Sequence, residues 1–543
     1  MEGSPLSTGA GAHGAGPSPN ALWPLAADWR RIAHPGARMT DRRSGILFHP
    51  TSLPGPHGAG DLGAAAHRFV TWLAQAGQRI WQVLPLGPTG YGDSPYQALS
   101  SRAGNPLLVS LEVLRNEGWL SDADLAGAPA TSPDTAALDQ ALTWKRSRLS
   151  RAALSFRARA GAEPRADLED FRAREASWVE DWALFSVLKD VHSGAPWTAW
   201  PEPLARRDPQ ALVEARDRHA AGIEAAIFTQ WCFFRQWEAL RARCRALDIA
   251  LVGDVPIYVA HDSVEVWSRP DLFELAPSGE PVAVSGVPPD YFSETGQRWG
   301  NPLYDWARVA LEGYTFWVQR VRGTLALVNR IRLDHFRGFE AYWRIPAACP
   351  TAVEGAWVPG PGASLFEALE RALGPLPFIA ENLGVITPGV EALRRRFGFP
   401  GMAVLQFAFG NDPQAATFRP HNYSRDLAAY TGTHDNDTTM GWWEGGAEGS
   451  VRTAADVEAE KALAREYLGT DGREMNWVLI RTLLASVADT VIFPMQDVLG
   501  LGNIARMNRP ATLGGNWRWR AREEAFTAPL AGRLARLARI TDR

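Results

Sequence analysis

A chain of 543 residues, 46% of them hydrophobic, is long enough for one large α/β domain with insertions or for two or three ordinary domains. Its 56 basic and 60 acidic residues leave a net charge of −4, which gives no electrostatic case for nucleic acid or an anionic membrane surface. No apolar run is long enough to span a bilayer, and Cys232, Cys244 and Cys349 have no metal-binding spacing, which predicts free thiols in a reducing cytoplasm.

In chain order, residues 1–40 are rich in Gly, Ala, Pro and Ser and lack the continuous hydrophobic segment of a secretory signal. They are expected to be a disordered extension, with the catalytic domain spanning 41–543 and Met39 an alternative start. Short apolar runs then predict eight strands, near 46–48, 80–84, 249–252, 330–333, 378–380, 402–407, 427–431 and 490–493. Helical patterns fall between several of them. The clearest is Ile223, Ile227, Trp231, Phe234, Trp237, Leu240, Cys244 and Leu247, spaced by three and four. Eight strands alternating with helices predict an α/β fold of the (β/α)8 TIM-barrel type rather than an open doubly wound sheet. The second and third strands lie roughly 160 residues apart, far beyond an ordinary connection. Residues 105–245 are therefore read as a mostly helical insertion above the C-terminal face, and 256–317 as a second, loop-rich one.

Three of the predicted strands run into a carboxylate. Asp334 closes Ile331-Arg332-Leu333, Glu381 closes Phe378-Ile379-Ala380, and Asp435 closes Tyr430-Thr431-Gly432-Thr433-His434. The C-terminal strand ends are where chemistry collects in such barrels. Acetal chemistry at a sugar carbon needs one ionised carboxylate to attack and one protonated carboxyl to release the leaving oxygen. Arg332 and Asp334, two apart on a strand, share a face, so the guanidinium favours the carboxylate form a nucleophile needs. Burial of Glu381 favours the protonated form of a general acid. His434 and Asp435 are placed to hydrogen-bond sugar hydroxyls and favour ring distortion.

Plainer readings stand beside these. Arg332 and Asp334 alone could be a structural ion pair, and His49 and His335, each at a strand end, are either packed core or subsite histidines. The string His434-Asp435-Asn436-Asp437 has no second histidine cluster to complete a metal site, so no metal is expected. Twenty-three tryptophans exceed what average composition predicts. They are core side chains or, for Trp197, Trp200, Trp299, Trp442 and Trp443 near polar loops, flat faces for sugar rings.

Motifs run almost from end to end in one order. They are 44–63 around His49-Pro50-Thr51-Ser52-Leu53-Pro54-Gly55, Tyr91-Gly92-Asp93-Ser94-Pro95-Tyr96-Gln97, Gly253-Asp254-Val255-Pro256-Ile257 and Gly296-Gln297-Arg298-Trp299-Gly300-Asn301-Pro302. Then come Arg332-Leu333-Asp334-His335-Phe336-Arg337-Gly338, Glu381-Asn382-Leu383-Gly384, Thr433-His434-Asp435-Asn436-Asp437-Thr438 and Gln496-Asp497-Val498-Leu499-Gly500. This set resembles the 4-α-glucanotransferase family, also called amylomaltase or disproportionating enzyme, glycoside hydrolase family 77 of the α-amylase clan.

The resemblance implies a retaining transferase acting on α-1,4-glucans and maltooligosaccharides, cytoplasmic and without a cofactor. Asp334 matches the nucleophile, Glu381 the acid/base and Asp435 the transition-state stabiliser. Arg332, His434 and Asp254 match substrate-contacting neighbours, and Tyr96 the aromatic that stacks on the donor glucose. Tyr91 resembles part of a second glucan contact region, Gln297 and Trp299 a loop over the cleft, and Ser94 and His49 lie within matching substrate-side motifs. The chain departs from the family pattern at Asn382, where Asp is usual, at Leu333, where Ile is usual, and at Ile504, where Glu or Ser is common. About 45 residues follow the last strand, too few for the β-sandwich domain common in the clan. A plain α-1,4-glucan hydrolase uses the same carboxylates, and a non-catalytic glycan-binding protein would have lost one of them. No motif specifies an oligomeric state.

Overall fold

A computed structural model of the protein describes residues 42–129, 132–289, 293–446, 453–510, 512 and 514–543. The expectation of a disordered extension at 1–40 lies outside these residues.

Among the described residues the strands are β1 (Arg43–Leu47), β2 (Ile80–Gln82), β3 (Ala250–Pro256), β4 (Ala283–Val287), β5 (Gln297–Pro302), β6 (Arg330–Asp334), β7 (Ala341–Pro346), β8 (Ala356–Pro359), β9 (Phe378–Ala380), β10 (Gly401–Val404), β11 (Leu427–Tyr430) and β12 (Thr490–Pro494). Eight of them form one parallel sheet in the order β10-β11-β12-β1-β2-β3-β6-β9. These are the eight apolar runs expected from the sequence. Their residues are buried almost throughout, as strands covered on both faces must be. Gly45 lets β1 and β2 approach, since a Cβ there would lie 2.3 Å from that of Ile80. The sheet curls into a barrel whose seam, between β9 and β10, is bridged by the Ala380 N–H donating to the Pro400 carbonyl at 2.8 Å. Asn382 completes the bridge, its Oδ1 accepting from the Met402 N–H at 2.8 Å.

The run at 402–407 is strand only to Val404 and continues as the 3-10 turn Leu405–Ala408. There the Gln406 side chain donates to the Asp437 carbonyl at 3.0 Å and ties this turn to the one after β11. Between β2 and β3 the chain forms the helices Leu138–Arg159, Ala162–Arg174, Val179–Val191 and Ala220–Ala246. The last buries Ile223, Ile227, Trp231, Trp237, Leu240 and Cys244, the stripe its spacing predicts. The stretch read as loop-rich instead carries β4 and β5, which join β7 and β8 in an antiparallel sheet of order β5-β4-β7-β8. No described helix is long and apolar enough to cross a membrane.

Candidate active site

Sheet order explains how residues far apart in sequence meet. Strands β3, β6 and β9 are neighbours, with Asp254 opposite Arg332 and Leu333 opposite Ala380 in register. Asp254, Arg332, Asp334 and Glu381 therefore line one side of the barrel mouth. Asp435 comes from the turn after β11.

One guanidinium nitrogen organises the first group. Arg332 Nη1 lies 2.9 Å from both oxygens of Asp254 and 2.8 Å from Asp334 Oδ1. Burial works against the Arg332 charge, but Asp254 and Asp334 more than offset it and raise its pKa well above the usual value. The two aspartates differ in access. The Asp254 side chain is 0% exposed, whereas that of Asp334 is 28% exposed, so Asp334 is the more accessible of the two. Asp254 instead accepts from the Tyr96 hydroxyl at 2.8 Å. That contact anchors the ring presented by the 3-10 turn Pro95–Gln97, whose first turn Ser94 caps by accepting from the Tyr96 N–H at 3.2 Å.

Glu381 is held from its own end of the barrel. Its Oε2 accepts from the His335 N–H at 2.8 Å and its Oε1 from the Leu383 N–H at 3.0 Å. Burial pushes its carboxyl up to about 8, with Asp334 adding to the rise and Arg332 and the two N–H donors opposing it. His335 reaches this position in a left-handed conformation, φ 51° and ψ 53°, which costs a non-glycine residue about 1 kcal/mol.

Asp435, its side chain 43% exposed, lies 3.3 Å from His434 Nε2 and accepts from Asn508 Nδ2 at 2.7 Å. Burial alone would raise its carboxyl. The His434 charge and hydrogen bond, Asn508 and Arg332 together hold it well below the usual carboxylate range. Arg506 donates to the Asp435 carbonyl at 2.6 Å and pairs with Asp437. Asn436 accepts from the Thr433 N–H at 2.8 Å. The His434 ring stacks on Tyr96 with centroids 5.0 Å apart, and Trp517 packs 5.9 Å from both rings.

The structure thus brings together Tyr96, Asp254, Arg332, Asp334, Glu381, His434 and Asp435. His49 is buried just beyond β1, its Nδ1 without a partner, beside a small cavity lined by both apolar and polar side chains, among them Phe48, His434 and Arg506. Gln297 and Trp299 sit on β5 rather than on a free loop. Trp299 donates to Gln297 Oε1 at 3.1 Å and meets the His335 ring edge-on at 4.8 Å. Tyr91 is 73% exposed. Trp197, Trp200 and Trp442 are core residues, and Arg465 covers Trp443 at 4.9 Å, so of the five tryptophans considered for sugar stacking only Trp299 stands beside the site. Asn508, Arg506 and Trp517 escaped the sequence reading. Only Trp517 carried a signal, the paired Gly514 and Gly515 that precede it with φ of 79° and 76°.

A family model described as 4-alpha-glucanotransferase matches residues 48–526. A 4-alpha-glucanotransferase of Thermus thermophilus is 50% identical over 510 residues, covering 92% of this chain and 99% of its own. One from Synechocystis is 45% identical over 510 residues, covering 93% and 99%. The structure of an amylomaltase from Streptococcus agalactiae in complex with acarbose superposes with a TM-score of 0.87 at 38% identity, covering 92% of this chain and 99% of that one.

Proposed function

The chain belongs to the 4-alpha-glucanotransferase family, and on that premise we propose how its residues divide the work. The reaction moves a segment of an α-1,4-glucan to the 4-hydroxyl of another glucan or of glucose, with retention through two displacements. In the first, Asp334 attacks the anomeric carbon while the bond to the departing glucan breaks and Glu381 gives its proton to the leaving oxygen. In the second, the acceptor 4-hydroxyl attacks the same carbon, its proton passes to Glu381, and Asp334 is released. One acetal replaces another, so neither step needs a redox or energy-supplying cofactor.

The observation that carries this reading is the contrast between two neighbouring acids. Glu381 is pushed up to about 8, whereas the exposed Asp334 rests on Arg332 at 2.8 Å. Asp435, held as a carboxylate, accepts hydrogen bonds from the hydroxyls of the distorting sugar. Tyr96 offers the donor glucose the ring face opposite His434, and Asp254 holds Arg332 and Tyr96 in place. His434 contacts the same sugar, and His49 backs it from the cavity below. Ser94 supports the Tyr96 turn. Trp299 and Gln297 border the acceptor side, and exposed Tyr91 belongs to an outer glucan contact. Residues 105–245 and 256–317 are read as insertions that build the walls of the cleft. The unpaired state of all three cysteines supports a cytoplasmic setting.

Incubation with maltotriose alone tests the activity and a trapping experiment tests the roles. Redistributed longer and shorter chains with few new reducing ends are expected, whereas accumulating reducing ends would make the enzyme a hydrolase. A slow donor should leave a glycosyl adduct on Asp334, and an adduct on Glu381 or Asp435 would reverse the assignment.

A further inference from the structure

The strained residue beside the nucleophile is placed where its main chain, not its ring, meets the acid/base. His335 follows Asp334 directly and adopts φ 51° and ψ 53°, a left-handed conformation uncommon outside glycine and reached mostly by asparagine, aspartate and histidine. That turn sends two successive N–H groups toward one residue. The N–H of His335 donates to Glu381 Oε2 at 2.8 Å, and the N–H of Phe336 donates to the Glu381 carbonyl at 3.0 Å. One turn thus holds both the side chain and the main chain of the same residue, the first N–H on the carboxyl and the second on the backbone carbonyl. The imidazole makes no comparable contribution, since its Nε2 is buried without a partner and its ring packs edge-on against Trp299.

We propose that His335 is a positioning residue acting through its backbone, its left-handed turn fixing the Glu381 carboxyl and favouring the carboxylate that must take a proton from the acceptor hydroxyl. The inference rests on Glu381 being the acid/base. Strain at a functional site is retained when the surrounding structure uses the conformation it enforces. Here the conformation supplies one of the two N–H donors on the carboxyl, the other coming from Leu383 at 3.0 Å. The charged groups acting on Glu381 are Arg332 and Asp334 on β6, with Asp254 of β3 behind Arg332; Asp435, beside His434 in the turn after β11, acts on the same guanidinium.

The test compares Gly, Asn, Ala and Val at position 335, which tolerate the left-handed region in that order. Each variant is assayed for kcat, KM and the pH profile of kcat/KM, with melting temperature as a check on folding. The kcat values should fall in the same order, His335→Ala lying about fivefold or more below His335→Gly. KM should change less than kcat. The basic limb should move to higher pH by roughly half a unit to one unit in the poorly tolerated variants, as the N–H donor to the carboxylate is lost. If Val does not fold, the Gly–Ala pair carries the comparison. Equal losses in all four variants with the limb unmoved would assign the effect to the missing imidazole and overturn the proposal. Glu381→Gln, assayed alongside with a glycosyl fluoride donor and with maltotriose, keeps the two readings apart. If it retains the wild-type basic limb on maltotriose, the acid/base assignment itself fails. If it loses that limb while the 335 series ignores left-handed tolerance, only the backbone role falls.

Discussion

At the scale of single residues, the site separates its acids by environment. Because Glu381 is pushed up to about 8, it is protonated at neutral pH and can donate to the leaving oxygen. The rate of the first displacement should therefore fall as pH rises through about 8, measured as kcat/KM for maltotriose. Glu381→Gln should cost about 10² to 10⁴ in that rate, and far less with a fluoride leaving group that needs no proton. Asn508→Ala removes a 2.7 Å donor from Asp435 and should lower kcat by roughly 10- to 100-fold, the worth of a hydrogen bond to a charged group. Asp334 and Glu381 were legible because each stands at the end of an apolar strand, and Asp435 because it follows one, although β11 stops at Tyr430 and the carboxylate sits in the turn beyond it. Asn508 was not, because an asparagine in an irregular segment looks the same whether it caps a turn or holds a carboxylate.

Among the elements, all eight barrel strands were legible, since strands buried on both faces read as near-continuous apolar runs even where Asp254 or Arg332 interrupts them. The β5-β4-β7-β8 sheet was not. Its strands mix Gly, Ser and Pro with apolar residues and are paired across a barrel strand, β6, that separates β5 from β7 in the chain. Its presence changes how Trp299 works, because a residue on a paired strand is a wall rather than a flap. Trp299→Ala should open that wall to water and raise the ratio of new reducing ends to redistributed chains from maltotriose. Parallel losses of both products would make the strand a general binding element. The Asn382 departure also has a local reason. Its Oδ1 accepts from the Met402 N–H while its Nδ2 donates to Glu391 Oε1 at 2.7 Å, and aspartate cannot do both. Asn382→Asp should destabilise the seam by about 1–2 kcal/mol, seen as a lower midpoint in urea.

For the whole molecule, an acid kept neutral by burial ties stability to pH. The folded-state pKa of Glu381, about 8, lies above the ordinary carboxyl value of 4.5. Its contribution is fully present below the unfolded value and is lost as pH rises through the folded one, an effect of a few kcal/mol at most. Melting temperature should thus decline between pH 5 and about 8, and the decline should flatten in Glu381→Ala. A variant with an unchanged slope would place the titration elsewhere. The same cluster has an outward consequence. Asp254 and Asp334 share one buried guanidinium, that of Arg332, Asp435 adds a further carboxylate, and Arg506 at the rim is already paired with Asp437. The mouth therefore carries surplus negative charge, welcoming to the cationic sugar of a breaking acetal and repellent to phosphorylated or carboxylated glucose units. Glucans decorated with such groups would be trimmed up to the modified sugar and no further, leaving the decoration to mark where remodelling of the polymer stops.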